Sequence, residues 1–229
     1  MKSKRFKKLL TENKINNSKA IEDLIPIIKK NCTTKFDESI DLSLQINHKQ
    51  KKNEISLRTF VNLPSGNGKK TKIGVVCEDV KVNEAKNAGA DIVGGDDFIN
   101  EIKEGKINFE KLICTPSMMI KLSKLGKILG PKGLMPNPKL GTVTVDLKKA
   151  VSDAKLGQVE IKNDKDGNIG LSIGKKSFSD DNLIKNYKAV METFEREKSN
   201  NIVKGDLIKN LFISSSMGLS YKIKLQKNI

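Results

Sequence analysis

The sequence predicts an α/β protein of two domains: an outer α+β two-layer domain with an inserted Rossmann-like three-layer α/β domain. Three observations carry this. Residues 72–125 repeat a strand–helix unit three times, and the strands are apolar on both faces, the pattern of a parallel sheet under helical cover. The flanking stretches alternate apolar and polar residues instead, the pattern of half-buried antiparallel strands. The pattern changes at "PSGNGKKT" (64–71) and again near 155–158, so the chain leaves the outer domain and returns to it. The expected division is 1–67 with 158–229 for the outer domain and 68–157 for the insert, with Pro64, Gly66 and Gly157 as hinge residues.

The elements follow in chain order. "SKAIEDLIPIIKK" (18–30) carries Ile21, Leu24, Ile25 and Ile28 at helical spacing, with Ser18 as a plausible N-cap and Pro26 expected to kink the helix or confine it to an edge. "SIDLSLQIN" (39–47) alternates as a half-buried strand, and "EISLRTFVNL" (54–63) reads as its natural partner through the polar segment 47–53. The insert follows. "KIGVVC" leads to "VNEAKNAG". "ADIVGG" leads to "DDFINEIKEG", capped by Asp96 or Asp97 and stopped by Gly105. "KLICTP" leads to "SMMIKLSKLGKIL", opened by Ser117. After the loop "GKILGPKGLMPNPKLG" (126–141) come "GTVTVD" and the helix "LKKAVSDAKLG". "QVEIKNDKDGNIGLSIGK" (158–175) reads as a hairpin around "NDKDGN". The helix 179–198 shows Leu183, Tyr187, Val190 and Phe194 on one face. A strand then ends in "SSSMG", and "SYKIKLQ" is the last strand.

The formal charge of the 229 residues is +16 and the pI is near 9.6. Such a field attracts polyanions, nucleic acid first among them, although a genome biased towards lysine gives the same excess. No run of eighteen apolar residues exists, so no membrane span is expected, and the basic N-terminus lacks the apolar stretch of a secretory signal. Cys32, Cys77 and Cys114 are odd in number and scattered, which fits a reducing, cytoplasmic compartment rather than a disulfide framework.

Catalytic and cofactor chemistry is poorly supported. His48, the only histidine, sits in a polar lysine-rich turn, and no zinc spacing exists. The first strand of the insert is not followed by G-x-G-x-x-G, and "GNGKKT" lacks P-loop spacing. "NDKDGN" is too short for a calcium loop ending in Glu. No enzyme, cofactor or metal is expected; a small-molecule enzyme using the insert is the minor alternative.

Basic, irregular chemistry is present. Residues 126–141 hold three of the six prolines, four of the seventeen glycines and three lysines, so regular helix or strand is not expected there. From Lys111 to Val145 there are six lysines and no Asp or Glu, the composition of a face that meets phosphates. Lysine favours backbone contact over bidentate reading of base edges. "TKFDES" and "SSSMG" offer an aromatic, hydroxyls, a flexible methionine and a bare glycine backbone, which suit recognition of RNA by shape. A buried Phe36 and an ordinary turn at 214–218 are the alternatives.

"LGKILGPKGLMPNPKLGTVT" closely resembles the signature of the L-one family of large-subunit ribosomal stalk proteins, bacterial type. "KFDESIDLSL", "AKNAGADIVGGDDFINEIKEGKINF", "GQVEIKNDKDGNI" and "ISSSMG" resemble that family's segments in the family's order, over nearly the whole chain. The resemblance implies a structural constituent of the large ribosomal subunit, monomeric within the ribosome. It would bind large-subunit rRNA, form the mobile stalk that contacts exit-site tRNA, and repress translation of its own operon mRNA. The main rRNA contact would fall in the outer domain, on Lys35, Phe36, Glu38, Ser39, Lys165, Asp166, Gly167, Ser216, Met217 and Gly218. Lys132, Gly133, Pro136, Asn137, Pro138 and Lys139 of the insert would form a secondary RNA contact. The chain departs from the family's pattern at Ser65 and Gly170, where histidine is usual.

Overall fold

A computed structural model describes residues 3–12, 18–47, 57–200 and 206–225, with only the backbone described for Lys139, Ser199 and Asn200. His48 and the expected strand start at 54–56 lie outside these residues. The chain divides into two compact units, 1–68 with 159–229, and 69–158.

The first unit is a layer of helices on a sheet of order β7-β1-β8-β9. β1 (Ser39–Ile46) lies between β7 (Asn168–Lys175) and β8 (Ile208–Ser215), antiparallel to both, and β9 (Ser220–Lys222) pairs with β8. Ile40, Leu42, Leu44 and Ile46 alternate inward as expected for a strand with one covered face. They pack with Leu211 and Ile213 under α2 (Ile21–Asn31) and α8 (Asp180–Asn200), which bring Leu24, Ile25, Ile28, Leu183, Val190 and Phe194 to the same core. A third helix, α1 (Lys4–Glu12), seats Leu9 there.

Several expectations are corrected. β2 (Arg58–Asn62) does not pair with β1, whose two edges are both taken; it pairs with β6 (Gln158–Lys162) in a separate two-stranded sheet. The hairpin around "NDKDGN" is likewise only a turn. Asp164 N–H bonds the Asn168 carbonyl at 3.0 Å and Asp164 Oδ1 accepts from Asn168 N–H at 2.6 Å, but β6 and β7 then go to different sheets. A local turn signal specifies the reversal, not the ladder partners. α2 starts at Ile21 after Ala20, so Ser18 is no cap, and the helix runs on through an exposed Pro26.

The second unit has a parallel sheet of order β4-β3-β5: β3 (Ile73–Val76) between β4 (Ile92–Gly94) and β5 (Lys111–Cys114). On one face α3 (Val82–Asn87) and α7 (Leu147–Lys155) bring Ala85, Leu147, Val151 and Ala154 against Ile73, Val75 and Ile113. On the other, α4 (Asp96–Lys103), α5 (Pro116–Ser123) and α6 (Gly126–Leu129) bring Phe98, Ile102, Met118, Leu122 and Leu129 against Val76 and Leu112. Burial of β3 on both faces explains its unbroken apolar run. Asp96 and Asp97 stand in the first turn of α4 rather than capping it, which still suits the helix dipole. Pro116, not Ser117, opens α5, since proline at the first helical position gives up no hydrogen bond. The loop at 126–141 is less irregular than expected: it begins as helix α6 and ends in a 3-10 turn at Pro138–Leu140.

Candidate nucleic-acid interface

The start of β1 and the end of β8 share one end of the sheet, because the strands are antiparallel with Ile40 opposite Ser215. That register brings "KFDES" and "SSSMG" together. Ser216 N–H donates to the Ser39 carbonyl at 3.0 Å, and Ser39 N–H donates to Ser216 Oγ at 3.1 Å. β7 ends alongside, so Lys175 Nζ donates to Ser39 Oγ at 2.9 Å. Lys176 Nζ reaches the Cys32 carbonyl at 2.7 Å, and Ser177 closes on Asp37 with its hydroxyl 2.8 Å from Oδ2.

Glu38 is the buried post of this cluster, 0% exposed. Its Oε1 accepts from the Thr34 hydroxyl at 2.8 Å, and its Oε2 accepts from Met217 N–H at 3.1 Å. Burial alone would raise its pKa. The Thr34 hydroxyl, the nearby Ser215 hydroxyl and the Met217 and Thr34 N–H groups outweigh that and hold the carboxyl below its ordinary value. Among the described residues the buried Ser215 hydroxyl meets strict hydrogen-bond geometry with no partner, although it lies near enough to the Glu38 carboxyl to favour its charged form. Gly218 sits so close that a Cβ there would fall 2.2 Å from Ser215 Oγ.

What this frame holds out is apolar. Phe36 is 54% exposed and Met217 is 52% exposed, beside Lys35, Ser216 and the Lys175–Lys176 pair. The alternative of a buried Phe36 is thereby excluded. Glu38 is not surface at all and acts by placing the two loops.

The structure does not bring Lys165, Asp166 and Gly167 to this cluster. They precede β7 and lie by Ile46, whose N–H donates to the Gly167 carbonyl at 2.8 Å. β1 separates them from Ser39 by seven residue steps, about 24 Å along a strand. Lys165 and Asp166 are exposed, while Gly167 is buried.

In the second unit Lys132, Gly133 and Pro138 are exposed and Asn137 is half-buried, with its N–H bonded to Thr142 Oγ1 at 2.7 Å. Pro136 is buried and packs rather than presents. Lys121 pairs with Asp96 at 2.7 Å and Lys111 bonds the Gln158 carbonyl, so two of the six lysines of the acid-free stretch are engaged within the unit. Lys124, Lys127 and Lys132 stand exposed.

Pro64, Ser65 and Gly66 form a turn held by helix α8. Buried Asn186 accepts from Ser65 N–H at 3.0 Å and donates to the Gly66 carbonyl at 2.8 Å and the Ile173 carbonyl at 2.7 Å. Gly66 and Gly157 take φ of +72° and +102°, a region that favours glycine.

Arg5 escaped the sequence reading. It is half-buried in α1, and its guanidinium bonds Thr33 Oγ1 at 3.0 Å and also the Met217 carbonyl. In "KSKRFKKLL" it looks like one more charge among lysines; only its unlike neighbour type, Arg among Lys, hints at a fixed geometry. Among the described residues no group of three or more His, Cys, Asp or Glu is placed to hold a metal ion, and no helix is long and apolar enough to cross a membrane.

A two-unit α/β chain with a basic, loop-built surface is the class defined so far, and comparison makes it specific: residues 28–219 match the model of the ribosomal protein L1p/L10e family, to which the chain belongs. Among its relatives is the large ribosomal subunit protein uL1 of Pelagibacter ubique, 67% identical over 229 residues and the full length of both chains. The proteins of the same name from Mycoplasma capricolum and Mycoplasma mycoides are each 45% identical, over 97% of this chain and 98% of theirs.

Proposed function

We propose that the chain is a structural constituent of the large ribosomal subunit in the cytoplasm and binds large-subunit rRNA directly through the sheet end built from residues 33–39 and 215–218. The observation that carries this is the half-exposed pair Phe36 and Met217 on a frame of hydrogen bonds that leaves their side chains outward. A pre-ordered surface loses little entropy on binding. Apolar side chains stack on or wedge against unpaired bases, and the adjacent lysines meet phosphates. Family membership and the relatives named for the large ribosomal subunit support the reading. The exposed lysines of the insert, Lys132 among them, make a secondary RNA contact. In the same proposal the bound protein forms the mobile stalk that contacts exit-site tRNA and aids its release. The same rRNA-binding surface serves to repress the protein's own operon mRNA.

The test is the affinity of the full chain for a folded large-subunit rRNA fragment at two salt concentrations. Met217→Asp places a carboxylate on the contact and should weaken binding at least about a hundredfold, the scale of a central contact residue. Lys132→Ala should cost less. An unchanged affinity for Met217→Asp removes the site assignment, and a larger effect at Lys132 makes the insert the primary contact.

A further inference from the structure

The basic residues of α1 are not alike. Lys4, Lys7 and Lys8 are exposed, while Arg5 is half-buried. The helix that carries it is seated on the core by buried Leu9, with Phe6 and Leu10 packed beside it, so Arg5 starts from a fixed base. Its side chain spans two loops far apart in the chain: one terminal nitrogen bonds Thr33 Oγ1 at 3.0 Å, and the other bonds the carbonyl of Met217, 212 residues away. A planar guanidinium holds two acceptors on separate segments at a set spacing, which an ammonium on a flexible stem does not do.

The consequence lies at Met217. Its N–H is taken by the buried Glu38 carboxylate and its C=O by Arg5. Both polar groups of that peptide segment are therefore fixed, from opposite partners, and the side chain alone remains outward at 52% exposure. The two partners are tied to adjacent residues, Arg5 to Thr33 and Glu38 to Thr34. The helix, the loop before β1 and the turn after β8 thus form one braced unit.

We infer that Arg5 is a positioning residue for RNA recognition: it does not meet phosphate but clamps the Met217 carbonyl, pre-setting the 216–218 turn for the RNA. This rests on the proposed rRNA-binding role of that turn and adds to it a specific job for the N-terminal helix. It predicts that Arg5 lacks the salt behaviour of an ordinary phosphate-binding residue. A side chain that neutralises a phosphate contributes about 0.7–0.9 to the slope of log affinity against log salt. One that is engaged by protein oxygens contributes nothing to that slope.

The experiment uses the full chain and a folded large-subunit rRNA fragment. Arg5→Ala, Arg5→Lys and Thr33→Ala are each titrated from low to moderate salt, with amide exchange at Met217 and Gly218 followed in the free protein. The expected result is a loss of affinity of about tenfold for Arg5→Ala, little rescue by lysine, a smaller loss for Thr33→Ala, an unchanged salt slope, and faster exchange at Met217 and Gly218 without RNA. A slope lowered by nearly one in Arg5→Ala makes Arg5 a phosphate contact and overturns the inference. So does unchanged exchange, or unchanged affinity. If Arg5→Ala unfolds, Thr33→Ala removes only the second anchor at an exposed side chain: faster exchange at Met217 and Gly218 with weaker RNA binding supports the inference, and wild-type exchange overturns it. Failure of the underlying interface reads differently: Met217→Asp then binds normally even though Arg5→Ala speeds exchange at the turn.

Discussion

Glu38→Gln tests the frame of the proposed interface at its buried centre. The carboxylate accepts from the Thr34 hydroxyl at 2.8 Å and from Met217 N–H at 3.1 Å, at 0% exposure. Glutamine fills the same volume but replaces one acceptor oxygen with an NH₂ group. With its oxygen on Met217 N–H, the glutamine turns its NH₂ toward Thr34, whose hydroxyl then accepts that bond and donates to the Phe36 carbonyl 3.2 Å away. Both bonds persist but lose the charged acceptor, and a hydrogen bond to a charged group is worth about 1.5–3 kcal/mol against about 0.5–1.5 kcal/mol for a neutral one. The expected loss is about 2 kcal/mol, which for a unit of this size lowers its melting temperature by roughly 6 °C. The pH dependence gives a second check. The folded-state pKa of Glu38 is depressed, so its contribution is fully present above the unfolded value and is lost as pH falls through the folded one. Urea melts of wild type and variant should therefore differ at pH 7 and converge as pH drops well below about 4.3, where the carboxyl is protonated in both states. Equal stability at pH 7, or a difference that stays constant on acidification, would refute the reasoning.

Other outcomes follow from the same geometry. Gly218→Ala forces the Ser215 hydroxyl aside, because a Cβ would lie 2.2 Å from it; a loss of about 1–2 kcal/mol in urea unfolding and weaker RNA binding are expected, and wild-type behaviour in both contradicts the close approach. Asn186→Leu leaves Ser65 N–H and the Gly66 and Ile173 carbonyls without their buried partner; chemical denaturation should show a loss of about 3 kcal/mol or more, and a loss below about 1 kcal/mol counts against this anchor. Burial pushes the Cys114 thiol up to about 12, so the native protein at pH 8 should resist alkylation at that position until it unfolds. A raised pKa contributes stability below the unfolded value that disappears as pH rises through the folded one, so these buried thiols weaken the fold only above about pH 9; fast labelling of native Cys114 is the contrary result.

Much of the architecture is visible along the chain. The alternation of Ile40, Leu42, Leu44 and Ile46, the helical face of Leu183, Val190 and Phe194, and the three strand–helix repeats of the insert all reflect burial, which leaves its period in the sequence. Partner choice leaves no such trace. β1 and β2 are neighbours in sequence and alternate alike, yet β1 is enclosed by β7 and β8, elements more than 120 residues downstream. The turn at Asp164–Asn168 is legible because its hydrogen bonds are local, while the divergence of β6 and β7 depends on two sheets. At the proposed interface, residue types that suit RNA are readable in the sequence, but not which of them reach solvent. Phe36 and Met217 do, whereas Glu38, Gly167 and Pro136 are buried. Arg5 was invisible for the same reason: its role is set by two loops that only the fold brings to it.

The central claim is that the sheet end carrying Phe36 and Met217 is the principal RNA surface. Amide exchange of the full chain with and without a folded large-subunit rRNA fragment tests it most directly. Protection is expected to be strongest at residues 33–39 and 215–218, weaker at 130–141, and retained at the first two segments when salt is raised to moderate levels. Protection confined to 130–141, or lost everywhere as salt rises, would contradict the account.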